Sequence, residues 1–158
     1  MSMRYLTQGE KENSRRLYEC CFPEDSQKFV DYYYQEKCRE NEIAVIEENG
    51  KIISMVHANP FTVSCCGTQA EVHYIVAVAT DPEYRRRGYM RQLMQQVLRD
   101  CRNRGEVFSF LMPADPAYYE PLGYRYWNNQ YVWEIPKEQE LLLKGFCQNP
   151  EYQSDADP

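Results

Sequence analysis

The sequence predicts a single α/β domain, with a mixed, mostly antiparallel sheet of six to seven strands and helices on both faces. Three segments carry that expectation. Residues 72–105 run from an apolar strand through Pro82 and Arg85-Arg86-Arg87-Gly88 into a long amphipathic helix pattern. Residues 107–127 read as a buried strand, a proline-flanked turn, then a glycine turn into another strand. Asn49-Gly50, between two apolar runs, is the strongest short hairpin signal in the chain. At 158 residues, 43% apolar and 27% charged, the chain is long enough for one proper core and ordinary for a globular protein.

In chain order, Met3–Leu6 reads as a short first strand and residues 8–21 as a polar helix. Phe22-Pro23 breaks it, and Asp25 or Ser26 caps a second helix to about Cys38. Ile43–Glu47 and Lys51–His57 are the hairpin arms, and Asn59–Cys66 continues the sheet to a turn at Gly67. Val72–Thr80 is β-branched and aromatic, as a buried strand should be. After Gly88, the residues Met90, Leu93, Met94, Val97, Leu98 and Cys101 recur at the helical period. Arg99, Arg102 and Arg104 suit the negative end of that helix dipole, and Gly105 supplies the stop. A final strand is expected over about Tyr124–Glu134. The domain therefore spans residues 1–135, and 136–158 read as an extension, linker or frayed tail.

Arg85, Arg86 and Arg87 have the wrong sign for a bare helix N-terminus, which carries partial positive charge. A solvated basic turn that protects an edge strand is one account. The other is a cradle for phosphate or pyrophosphate, made of backbone N–H groups and arginines around a glycine without Cβ. Neither GxxxxGK[ST] nor GxGxxG occurs after a strand, which sets aside the two commonest nucleotide motifs. What does fit is [RQ]xxGx[GA] after a strand and a proline. Arg85, Gly88 and Met90 take its fixed positions, with Met90 departing from the usual small residue. This resembles the coenzyme A pyrophosphate loop of the GCN5-related N-acetyltransferases (GNAT). Tyr119-Glu120-Pro121-Leu122-Gly123-Tyr124 resembles the closing motif of the same family. With CFPED at 21–25, FVDYYY at 29–34 and SMVHANPF at 54–61, the chain looks most like the Eis-like branch over roughly residues 3–135.

The resemblance implies a GNAT fold with a splayed central strand pair and acetyl-CoA as co-substrate. Val78, Ala79 and Thr80 would then pair with pantetheine, and Arg85, Arg86, Arg87, Gly88, Tyr89, Met90 and Arg91 would wrap the pyrophosphate. Ala114 and Asp115 would lie near the thioester. Tyr119 matches the general-acid tyrosine, and Tyr118 is the neighbour most easily confused with it. A tyrosine near its ordinary pKa of about 10 can protonate a departing thiolate. Phe29, Tyr32 and Tyr33 lie where Eis-like enzymes wall the acceptor channel, although helical spacing keeps the three consecutive tyrosines, Tyr32, Tyr33 and Tyr34, from all facing one side. Glu71 and His73 share a strand face and are the candidates for relaying a proton. Eis-like enzymes ascribe that task to a C-terminal carboxylate on a further sterol-carrier-like domain, for which 158 residues leave no room. The expected activity moves an acetyl group to a primary amine of a small cationic molecule, aminoglycoside- or polyamine-like. A protein lysine or N-terminal acetyltransferase and a non-catalytic acyl-CoA-binding module stay open.

A net charge of −6 argues against nucleic acid or an anionic membrane as partner, and suits a cationic acceptor as well as simple solubility. No targeting or membrane-spanning run is legible, so the expectation is a cytoplasmic protein, with homo-oligomerisation left open. Seven cysteines with two adjacent pairs and no CxxC favour free thiols in a reducing compartment. With only His57 and His73 as imidazoles, no metal site is expected.

Overall fold

The computed structural model describes residues 2–128 apart from Cys66. Residues up to Tyr124 form one compact unit. The described start of a second, Arg125–Asn128, carries no regular secondary structure. The first unit is a five-stranded sheet in the order β1 (Ser2–Tyr5), β2 (Glu42–Glu48), β3 (Lys51–Cys65), β4 (Thr68–Thr80) and β5 (Ser109–Leu111). The first four pair antiparallel, and β5 joins β4 in parallel. Helices α1 (Arg15–Cys21), α2 (Gln27–Gln35) and α3 (Tyr89–Asn103) complete it.

Burial explains why the sheet is covered twice. In β2, Ile43 and Val45 pack with Leu17, Tyr18, Val30 and Tyr34 from α1 and α2. The alternate residues Ala44 and Ile46 pack with Leu93, Met94 and Val97 from α3. A strand apolar on both faces needs a helix on each, and every large aliphatic side chain so buried contributes about 1.5–3 kcal/mol. Local signals set the boundaries. The Thr7 amide donates to the Glu10 carboxylate (2.9 Å) where a 3₁₀ run, Gln8–Ser14, leads into α1. Ser26 caps α2 by accepting from the Phe29 amide at 3.2 Å. Asn49 and Gly50 both take positive φ, 52° and 76°, the two-residue turn that matches strand twist.

The expected six to seven strands become five among the described residues, for two reasons. The expected segments Lys51–His57 and Asn59–Cys66 merge, as far as the described residues go, into one continuous 15-residue strand, Lys51–Cys65. Pro60 is tolerated inside it because β2 ends opposite Ala58, leaving that side of β3 an edge that needs no N–H. In the expected last strand, Tyr124–Asn128 is irregular and residues 129–134 lie outside the described residues. So does the expected domain end at 135. The polar helix expected over 8–21 is half 3₁₀, and α2 stops at Gln35 before a 3₁₀ turn at Lys37–Arg39.

Candidate active site

β4 and β5 stay together for only three pairs, His73 with Ser109, Tyr74 with Phe110 and Ile75 with Leu111. Beyond Ile75, β4 runs on to Thr80 without β5 beside it. A bulge falls at the parting: His57 pairs Val76 and Met55 pairs Ala79, so Ala77 and Val78 together oppose Val56. Ala77 takes a left-handed φ of 47°, a strained position for a residue with a Cβ. Of the three predicted pantetheine-facing residues, the Ala79 carbonyl accepts from Ser54 Oγ on the β3 side (3.0 Å). The Thr80 carbonyl accepts from Arg85 Nε at 3.1 Å.

The strand end is tied down before the loop begins. The Asp81 amide donates to the Ile53 carbonyl (2.9 Å), and its carboxylate caps Glu83 N–H (3.1 Å) and receives Lys51 Nζ (2.6 Å). The lysine hydrogen bond, against the opposing effect of desolvation, holds the Asp81 carboxyl below the usual carboxylate range. Arg87 donates to the Glu83 carbonyl (3.0 Å) and lies over the Tyr84 ring (5.1 Å). Positive φ at Arg86 (63°) and Gly88 (80°) brackets Arg87, the kind of backbone alternation from which anion nests are built. Gln92 donates the first α3 bond, to the Gly88 carbonyl (3.0 Å), so the amides of Tyr89, Met90 and Arg91 have no intrahelical acceptor. A Cβ on Gly88 meets no protein atom within 4 Å, so the backbone angle and not crowding demands glycine here. Met90 and Tyr89 pack toward the α3-side core, which explains how a large residue replaces the usual small one.

The closing turn fixes Tyr119. Asp115 caps the turn by accepting from the Ala117 amide (2.9 Å), with Ala114 exposed just before it. Gly123, at φ 97°, lets Tyr124 N–H return to the Tyr119 carbonyl (3.3 Å). Ser109 Oγ and the Tyr124 hydroxyl, 2.7 Å apart, pin the turn to β5. Tyr119 is half-buried with its ring edge-on to Tyr124 at 6.0 Å, and burial pushes its phenol pKa up. Tyr118 is 62% exposed.

Over residues 2–127 the sequence matches the family described as Acetyltransferase (GNAT) domain. The chain belongs to that family. No curated protein matches it. Solved structures share its fold. A conserved protein of unknown function from Enterococcus faecalis V583 is 22% identical, with a TM-score of 0.70 over 78% of this chain and 32% of that one. The aminoglycoside acetyltransferase AAC(6')-Iy, bound to the bisubstrate analogue CoA-S-monomethyl-acetylneamine, is 16% identical (TM-score 0.68, 85% and 97% covered). Glucosamine-6-phosphate N-acetyltransferase from Arabidopsis thaliana is 17% identical (TM-score 0.65, 85% and 98% covered). This chain spans about a third of the Enterococcus protein's length (32%). Among its described residues no helix is long and apolar enough to cross a membrane.

In this GNAT domain the other predicted residues scatter. Phe29 and Tyr32 are 45% and 51% exposed on α2. Tyr33 is buried, stacked on His57 at 5.8 Å, and belongs to the core and not to a channel wall. Glu71 accepts from Thr62 Oγ1 at 2.6 Å on the sheet surface. His73 Nδ1 lies 2.9 Å from Glu106, which also receives Arg104 Nε at 3.0 Å. Although burial opposes it, hydrogen bonds from His73 and Arg104 hold the Glu106 carboxyl down. His73, Cys101 and Glu106 come within 4.8 Å of one another, a gathering that sequence spacing does not reveal. Arg104 already donates to two of them, reaching Cys101 Sγ at 3.5 Å, and burial pushes that thiol up to about 11. Among the described cysteines, Cys20, Cys21, Cys38 and Cys101 are free thiols.

Sequence reasoning missed His57. It is fully buried, with Nδ1 facing the Tyr33 hydroxyl (2.9 Å) and Asn41 Nδ2 (3.4 Å). Period-two alternation through HANPF, with His57, Asn59 and Phe61 on one face, was the available signal. Burial, with a smaller push from Lys11, lowers its pKa to about 3. The unfolded imidazole takes up a proton near 6.5, the folded one only near 3. Its contribution to stability is therefore complete above about pH 6.5 and is lost as pH falls toward 3. Urea unfolding at pH 7.5 and pH 5 should show wild type losing roughly 2 kcal/mol more than His57→Gln. Equal losses in both proteins would mean that this imidazole is not held neutral.

Proposed function

We propose that this GNAT domain transfers the acetyl group of acetyl-CoA to a primary amine of a small cationic molecule, within a ternary complex. The observation that carries this is the parting of β4 from β5 after Ile75, followed along the chain by the left-handed Gly88 and the open α3 N-terminus. Pantetheine is read along Val78–Thr80, pairing in place of β5, and the pyrophosphate on the amides and side chains of Arg85–Arg91. Arg86 and Arg91, both exposed and without a hydrogen-bond partner among the described residues, are the arginines free to turn to phosphate; Arg85 and Arg87 are held by carbonyls. Ala114 and Asp115 are read as lying near the thioester.

The amine nitrogen attacks the thioester carbonyl, the C–N bond forms, and the C–S bond breaks. Coenzyme A leaves as a thiolate that takes a proton from Tyr119, while the attacking neutral amine gives up one proton to solvent and solvent returns one to the Tyr119 phenolate, so that each turnover ends with the tyrosine protonated. A raised phenol pKa keeps that proton in place until charge develops on sulfur. The length of the Enterococcus neighbour supports the Eis-like branch, since the match covers 32% of a much longer chain. The net charge of −6 supports a cationic acceptor. Thermal shift with acetyl-CoA, followed by thiol release across amines, tests the reading. Acetyl-CoA should raise Tm, and at least one small amine should release thiol faster than a lysine peptide does. No shift at millimolar acetyl-CoA would overturn it.

A further inference from the structure

His57, Asn59 and Phe61 alternate along β3 and share one sheet face, which α1 and α2 cover at Met55 and His57 and leave open at Phe61. Their cross-strand partners on that face are Val76, Tyr74 and Val72 of β4. Tyr74 also pairs Phe110 on β5, and the two rings stack at 4.9 Å. Phe61 closes the group edge-on, 5.9 Å from Tyr74 and 5.8 Å from Phe110. Phe61 remains 46% exposed and the other two rings are half-buried, so the group forms an open aromatic floor. It lies one residue from Ile75, where β5 leaves β4.

Two buried polar atoms beside this floor lack a partner among the described residues, His57 Nε2 and Asn59 Oδ1. Both neighbours of His57 Nδ1, a phenol and an amide NH₂, can donate to it. The neutral tautomer that accepts both carries its proton on Nε2. A buried donor and a buried acceptor thus stand two residues apart on one strand face, which suits a bound water between them.

We propose that the acceptor is a primary amine on a short arm from an aromatic ring, an arylalkylamine. Its ring lies on Phe61, Tyr74 and Phe110, and its nitrogen hydrogen-bonds to the water held by His57 and Asn59. This rests on the acetyltransferase reading above. Ring faces suit one flat apolar body and one cation. A polycation needs several free carboxylates, and the two aspartates at α2, Asp25 and Asp31, are engaged. Asp31 is paired with Arg15, and Asp25 accepts the Tyr18 hydroxyl (2.7 Å). Glu71 shares the opposite sheet face with His73 and Ile75 and holds Thr62.

The test compares 2-phenylethylamine, butylamine and spermidine as acceptors, in wild type and in Phe61→Ala, an exposed site whose truncation spares the core. Wild type should prefer phenylethylamine over butylamine by at least about tenfold in kcat/KM. Phe61→Ala should erase most of that preference through the amine KM, with the acetyl-CoA KM unchanged. Spermidine as best acceptor, or a preference untouched by Phe61→Ala, overturns the proposal. So does dimerisation that Phe61→Ala abolishes without any ring preference, which assigns the floor to a second copy. If acetyl-CoA shifts Tm but saturation-transfer NMR finds no phenylethylamine on the loaded protein, the floor alone is misassigned. If acetyl-CoA itself does not bind, the acetyltransferase reading falls with it.

Discussion

Tyr119→Phe should lower kcat by roughly 10²–10⁴-fold while acetyl-CoA binds almost as before. The substitution removes one hydroxyl and little volume. Tyr119 packs against Tyr124 through its ring, so the fold should keep its shape. The hydroxyl matters as charge develops on sulfur, which places the loss in kcat and not in ground-state binding. Tyr118→Phe is the internal control. Its ring is 62% exposed and its loss should be nearly silent. Single-turnover kinetics at saturating acetyl-CoA check the pair. A crippled Tyr118→Phe beside an active Tyr119→Phe would reverse the assignment, and two active variants would remove general acid catalysis by this turn.

Gly88→Val should weaken acetyl-CoA binding by on the order of 10²-fold, about 2–3 kcal/mol. At φ 80° a β-branched residue is far outside its comfortable range, so the chain must rotate out of the left-handed region. That rotation re-aims the amides of Tyr89–Arg91 at the start of α3. The new side chain meets no protein atom, so valine acts here through the backbone angle and through its bulk on the open side of the loop. Gly88→Asn is the informative companion, because asparagine tolerates left-handed φ. It should retain more affinity than valine in calorimetric titrations. Asparagine and valine variants with equal, wild-type affinity would move the phosphate site elsewhere.

Much of this was legible in the residues. Period 3.6 after Gly88 defined α3, and Asn49-Gly50 defined the hairpin. The strand, proline, arginines and glycine marked the loop, because the proline ends the strand and Gly88 supplies the left-handed φ that starts α3. Strand count was harder to read. Pro60 suggests a break, and only the early end of β2, a tertiary fact, makes it harmless. Function also hid where long-range pairing decides orientation. Tyr33 sits beside Tyr32 in an aromatic run, yet one hydroxyl is spent on a buried His57 while its neighbour faces water. Glu106 and Arg104 carry no motif, and only the fold brings them to His73 and Cys101.

Backbone amide NMR with added coenzyme A tests the central claim most directly, that one cleft runs from the parted strands to the α3 N-terminus. The largest shift changes should fall on Val76–Thr80 and Arg86–Arg91 together. Changes confined to other segments, or to the arginine loop with Val76–Thr80 unmoved, would contradict it.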